Sequence, residues 1–266
     1  MARRGAGEHG RIEGAVADIG SRTRHAACRQ ALAATKAFAA PLAAAEKFFR
    51  EPPWKTKKPY WGYAIDVTKC IGCGRCAEAC KNENDVPKEP FYFRTWVERY
   101  VLRRSGEVQV ESPNGGIDGW SDIQDPETVT RSFFVPKLCN HCEHSPCVQV
   151  FPVGATFKSE DGVILVDQKY CIGCRYCIQA CPYGSRYFHP VKHVADKCTL
   201  CYHRIKRGQK TACVECCPTG ARMFGDLSDP NSAISKFYEN EPTQVLKAHI
   251  GTEPKVVYKG ITKEVR

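Results

Sequence analysis

The run YCIGCRYCIQACPYG, residues 170–184, spaces Cys171, Cys174, Cys177 and Cys181 as C-x2-C-x2-C-x3-C, with Pro182 directly after. Upstream, CIGCGRCAEAC from Cys70 repeats the spacing with Cys70, Cys73, Cys76 and Cys80. Between these two runs, KLCNHCEHSPC from Lys137 holds Cys139, Cys142 and Cys147 as C-x2-C-x4-C, and Phe151-Pro152 follows after three residues. Downstream, KCTLC from Lys197 and ACVECCPTGAR from Ala212 hold Cys198, Cys201, Cys213 and Cys217 as C-x2-C-x11-C-x3-C, with Pro218 directly after. Of seventeen cysteines only Cys28 and Cys216 stand outside these four sets.

The C-x2-C-x2-C-x3-C-Pro run is an iron–sulfur signature in which three cysteines hold one cluster and the fourth ligates another. Short spacing lets successive thiolates reach neighbouring corners of a cubane, while loop N–H groups point at its sulfides. Gly72 and Gly173 fall where the loop must pass close to the cluster, a place suited to a residue without Cβ. A chain of 266 residues with cysteines this regular is no small disulfide scaffold. The last set alone matches a zinc site, a reading that loses force beside two full ferredoxin runs. There is no C-x-x-C-H, so covalent c-type haem is not indicated. His141, His144, His189, His193 and His203 lie near cysteine sets and are not assigned as ligands.

The formal charge of +10 suggests nucleic acid, but it counts every cysteine as a neutral thiol. Ligand thiolates are deprotonated, and each cluster with its ligands carries roughly −2, so four bring the holoprotein near neutrality. Arg75, Arg175, Lys197, Arg204, Lys206 and Arg207, beside the cysteine sets, are read as offsetting these anions rather than binding nucleic acid.

Phe151 stands where the second set should place its fourth cysteine, and a phenyl ring cannot ligate iron. If the sets pair as nested ferredoxin halves, the first pairs with the fourth and the second with the third. One cluster then takes Cys70, Cys73, Cys76 and Cys217; a second takes Cys80, Cys198, Cys201 and Cys213. A third takes Cys139, Cys142, Cys147 and Cys181, leaving Cys171, Cys174 and Cys177 as a three-thiolate site beside Phe151. The expected cofactors are three [4Fe-4S] clusters and one [3Fe-4S] cluster, the alternative for the last being a [4Fe-4S] cluster with a non-cysteine ligand. Cys217 is preferred to Cys216 because it precedes a proline, as Cys181 does, with Cys216 a neighbour able to substitute.

Residues 1–59 are basic and Ala-rich, with Phe38, Leu42, Ala45 and Phe49 on a helical stripe that Pro41 should kink. They read as a helical extension that docks a partner or lies on its own domain, the alternative being a partly disordered tail. Arg3-Arg4 is not followed by a hydrophobic core, so no cleaved export signal is expected. Residues 60–225 form the cluster domain. Strands are expected at 60–67, 133–138, 155–157, 163–166, 186–188 and 221–224, in a repeating order of strand, cluster loop, helix turn and strand. An insertion over about 82–138 carries a hairpin at 91–110 turning at Ser105-Gly106. Residues 226–266 read as a polar tail, helical over 232–238 and extended over 255–258. The longest run without Asp, Glu, Lys or Arg, His144–Phe157, falls short of the roughly 20 apolar residues of a membrane helix.

These motifs resemble the four-cluster ferredoxin-type subunits that accompany molybdopterin oxidoreductases such as dimethyl sulfoxide, polysulfide and tetrathionate reductases. The resemblance covers about 60–260. It implies an α+β fold of two ferredoxin-like, bacterial dicluster halves, with a β-hairpin insertion and an N-terminal helical extension. It also implies an electron wire from a catalytic subunit to a membrane quinone-binding subunit, within a hetero-oligomer associated peripherally with a prokaryotic membrane. The implied place of the complex is cytoplasmic, or periplasmic after folded export with a signal-bearing partner. In some relatives an aromatic residue replaces a cluster cysteine and a three-iron cluster results. A molybdopterin subunit is the expected redox partner, and a multihaem cytochrome is its alternative. A reading of another class is a reductase acting at an open-site cluster; Phe151 argues against it by blocking the position a substrate would need.

Overall fold

The structure, a computed structural model, describes residues 58–265. The Ala-rich stripe, Arg3-Arg4 and Cys28 lie outside them. β1 (Trp61–Asp66) leads directly towards Cys70, and β9 (Arg222–Asp226) follows Pro218. They pair antiparallel, Tyr63 opposite Phe224 and Ile65 opposite Arg222, which brings the first and fourth cysteine sets together across the length of the domain. The alternation in β1 sets its two faces: Tyr63 and Ile65 enter the main core, while Ala64 faces a second apolar layer with Ile234 and Val257.

The segment expected as a polar tail is built into this sheet. β11 (Val256–Lys259) pairs parallel with β1, and β10 (Thr243–Gln244) pairs with β11, giving the order β10-β11-β1-β9. Tyr258 is fully buried. α6 (Ala233–Asn240) packs on the second face, capped by Ser232, whose hydroxyl accepts the Ser235 N–H. The Tyr238 hydroxyl donates to the Tyr63 and Lys255 carbonyls at 3.2 and 3.0 Å. A parallel partner so distant in the sequence leaves no local sign, which is why polar composition alone suggests a tail.

The insertion forms a three-stranded antiparallel sheet, order β3-β2-β4, from β2 (Thr95–Arg103), β3 (Val108–Glu111) and β4 (Val129–Leu138). The expected hairpin is present, its turn closed by the Gly106 N–H on the Arg103 carbonyl. β4 runs on to Cys139. Two short ladders complete the fold: β5 (Thr156–Lys158) with β6 (Ile164–Val166), and β7 (Arg186–Phe188) with β8 (Ala195–Lys197). Helices in the described domain are mostly single turns, so it is a mixed fold dominated by short strands and loops.

Candidate metal centres

Each cysteine set is a tight loop followed by a short helix. α1 (Arg75–Glu83) carries Cys76 and Cys80, α2 (Pro146–Gln149) carries Cys147, and α3 (Tyr176–Gln179) carries Cys177. α4 (Tyr202–Ile205) follows Cys201, and α5 (Ala212–Glu215) carries Cys213. α1 packs against α5, and α2 against α3. The helix contacts therefore join the first set to the fourth and the second to the third.

The thiols gather accordingly. Cys70, Cys73, Cys76 and Cys217 line one cavity, with Gly74, Pro218 and Arg222 in its wall. Cys80, Cys198, Cys201 and Cys213 line another, walled by Asn84, Arg94 and Thr211. Cys142 has Cys139, Cys147 and Cys181 as neighbours. Cys177 has Cys171 and Cys174. Phe151, buried, packs in one apolar cluster with Cys147 and Cys177, against the half-buried Cys171. All sixteen described cysteines are free thiols. No three or more His, Cys, Asp or Glu among the described residues converge closely enough to hold a single metal ion.

The loop glycines are also required by the chain packed outside them. Gly72 and Gly74 take φ of +71° and +67°. A Cβ at Gly72 would meet the Phe134 ring at 2.5 Å, and one at Gly74 the Gly116 carbonyl oxygen at 2.1 Å. The insertion thus straps the first loop from outside, and the Trp120 indole N–H donates to the Gly72 carbonyl at 2.8 Å. At Gly173 a Cβ would meet the His193 carbonyl oxygen at 2.7 Å.

Two properties of the donor set fit an iron–sulfur group. First, burial pushes the Cys198 and Cys142 thiols up to about 12 and Cys70 up to about 11, so these sulfurs need a cation to become thiolates. Cys217 differs: burial opposes it, but the Thr219 hydroxyl and the N–H groups of Arg222, Thr219 and Ala221 pull it below the usual thiol value. Its neighbour Cys216 is raised to about 12 by burial and the nearby Cys76. Second, buried polar atoms beside the sets lack protein partners: Asn140 Nδ2, His141 Nε2, Arg186 Nε and His189 Nε2. The Ile164 N–H donates to His141 Nδ1 at 3.1 Å, which leaves Nε2 as the protonated nitrogen. Inorganic sulfides and thiolates are the acceptors such donors would require.

The cations nearest the thiols are mostly not those that flank them in sequence. Arg75, Arg175, Lys206 and Arg207 are exposed. Arg204 is tied to Glu83 and Glu215 at the surface of α1 and α5. Lys197 is fully buried, and Arg186 and Arg222 are buried on the strands that follow the third and fourth sets. Arg186 donates through Nη2 to Cys147 Sγ at 3.0 Å, and Arg222 donates to Tyr63 Oη and Thr95 Oγ1. Burial opposes both guanidiniums, yet the surrounding cysteine sulfurs hold them above the ordinary arginine value. A signal was present: CPYGSR ends at Arg186 and CPTGAR at Arg222, an arginine five residues after the last cysteine of each set.

Comparison with known proteins identifies the family. Two 4Fe-4S dicluster domains match, over residues 69–155 and 130–227. The sequence is 41% identical over 225 residues to a tetrathionate reductase subunit of Salmonella typhimurium, covering 83% of this protein and 81% of that one. It is 46% identical over 200 residues to a tetrathionate reductase subunit of Archaeoglobus fulgidus, covering 75% and 82%. It is 39% identical over 198 residues to a component of the polysulfide reductase of Wolinella succinogenes, covering 74% and 92%. With paired dicluster domains and similarity spanning most of each relative, this protein belongs to the family of ferredoxin-type iron–sulfur electron-transfer subunits found in tetrathionate, dimethyl sulfoxide and polysulfide reductases.

Proposed function

We propose that this chain relays electrons through four clusters held by the crosswise ligand sets. Cys70, Cys73, Cys76 and Cys217 hold the first; Cys80, Cys198, Cys201 and Cys213 the second. Cys139, Cys142, Cys147 and Cys181 hold the third, and Cys171, Cys174 and Cys177 the fourth. The observation that carries this reading is the mixing of sets in the two cavities: Cys217 joins the first set, and Cys80 joins the fourth. Once bound, the clusters supply one-electron redox chemistry; the protein supplies ligands, hydrogen bonds, charge and spacing.

The fourth site is three-iron in this reading, because Phe151 replaces a thiolate and packs beside Cys177 and Cys171. Its burial fills the corner with an apolar ring, which disfavours a water ligand and the open-site reductase.

We assign the two ends of the relay to partner docking. Cys73 and Ile71 are exposed beside the first site, and Tyr170, Ile172 and Tyr176 are exposed beside the fourth. The partners are a molybdopterin catalytic subunit and a membrane-integral quinone-binding subunit, in keeping with relatives named as components of reductases. No helix among the described residues is long and apolar enough to cross a membrane, so membrane association is through the quinone partner in this reading.

Anaerobic purification of the native complex tests it. Molybdenum should co-purify, and a quinol analogue should reduce the clusters without added dithionite. A multihaem cytochrome in place of molybdenum would replace the catalytic partner. Turnover of a small molecule by the isolated protein would overturn the relay reading.

A further inference from the structure

Arg222, Lys197 and Arg186 are each 5% exposed or less, and none forms an ion pair with a carboxylate among the described residues. Arg94, Lys137 and Lys255, also buried, do: they meet Asp196 at 2.9 Å, Glu98 at 2.7 Å and Glu143 at 3.3 Å, while buried Lys81 is held by the Pro87, Lys88 and Glu89 carbonyls. Lys197 instead donates to the Ile164 and Cys198 carbonyls. An uncompensated buried charge is strongly destabilising and a guanidinium cannot shed its proton, so Arg222 and Arg186 require another anion, and Lys197 lies beside the same sulfurs.

Their positions name it. Arg222 neighbours Cys76 and Cys213, thiols of the first and second sites. Lys197 neighbours Cys198 of the second site, and Cys139 and Cys147 of the third. Arg186 neighbours Cys147 and Cys139 of the third site, and Cys177 of the fourth. Each of the three steps along the series therefore has its own buried cation, touching or flanking thiols of two successive sites.

We propose that Arg222, Lys197 and Arg186 are shared counter-charges, each raising the reduction potentials of the two clusters it lies between. This rests on the ligand sets proposed above. Reduction adds negative charge, and a nearby cation in a low-dielectric interior favours the reduced state. A cation shared between neighbours moves both potentials together, so it lifts the level of a step without widening it. The exposed Arg75, Arg175, Lys206 and Arg207 are screened by water and salt and do not act in this way. These are positioning residues in the electrostatic sense, since none is assigned as a ligand.

The test is potentiometric titration of the anaerobic holocomplex, followed by EPR, with iron content measured on the same samples. Neutral variants Arg222→Gln, Lys197→Gln and Arg186→Gln are compared with Arg222→Lys, Lys197→Arg and Arg186→Lys, and with the surface control Lys206→Gln. At a fixed potential, each neutral variant should lower the reduced-to-oxidised ratio at least about tenfold in its own two clusters, about 59 mV for a one-electron centre. The other two clusters and the surface control should stay near wild type. The charge-keeping variants should return most of the shift. Neutral variants with full iron and unmoved potentials would overturn the proposal. So would charge-keeping variants shifted as far as the neutral ones. If a neutral variant fails to retain iron, its charge-keeping counterpart decides, and loss of iron or potential there as well overturns it. Wild-type protein without four clusters would instead remove the ligand assignment beneath it.

Discussion

Cys216 and Cys217 are adjacent, yet their surroundings give them different chemistry. Cys217 lines the cavity with Cys70, Cys73 and Cys76 and is held by nearby N–H groups, whereas the Cys216 thiol donates to the Arg75 and Cys213 carbonyls. Cys216→Ser should keep the full iron content, while Cys217→Ser should lose or convert one cluster; iron per polypeptide distinguishes them. Phe151 gives a second residue-level prediction. Phe151→Cys restores a thiolate at the fourth site, so iron should rise by about one per polypeptide and the oxidised three-iron EPR signal should fall. Losing the ring from its apolar cluster costs about 3 kcal/mol, read as a lower unfolding midpoint before iron is restored. An unchanged three-iron signal in a variant of unchanged iron content would argue against Phe151 standing at the missing ligand position.

Elements show where local pattern sufficed and where it did not. The period-2 alternation of β1, the hairpin of β2 and β3, and the cysteine loops were legible because their cause lies within a few residues. The strap over the first loop was not legible. Gly74 requires both its positive φ and the approach of Gly116 from the insertion, which local sequence does not encode. Gly74→Ala should therefore destabilise the holoprotein by more than about 3 kcal/mol, while Gly106→Ala, at φ +86° with open space around it, should cost about 1 kcal/mol. Denaturation midpoints compare the two, and similar values would contradict the strap. The buried arginines are hard to read for a related reason: residues flanking cysteines in sequence include many cations that face water. The repeated C-P-x-G-x-R spacing carries the information, but only the strand pairing shows that these side chains turn inward.

Across the described domain, cysteine sulfurs, buried cations and partnerless donors form one mutually dependent interior. Asn140, His141 and Arg186 have polar atoms that satisfy nothing in the protein, and thiols such as Cys80, Cys142 and Cys198 are pushed by burial towards their protonated forms. Folding and cluster binding should therefore be coupled. Anaerobic chelation of iron should abolish cooperative unfolding of the 58–265 region, seen as loss of near-ultraviolet dichroism; an apoprotein that unfolds at the holoprotein's midpoint would contradict this. The four-stranded sheet closes this interior with β11, so truncation before Val256 should have the same effect as iron removal, whereas a dispensable tail would leave iron content intact. The relay requires four inorganic centres on one polypeptide, one of them a three-iron centre. Iron and acid-labile sulfide measured per polypeptide on anaerobically purified protein test that directly. The account predicts about fifteen irons and roughly sixteen sulfides. Values near zero, or enough for only two clusters, would contradict it.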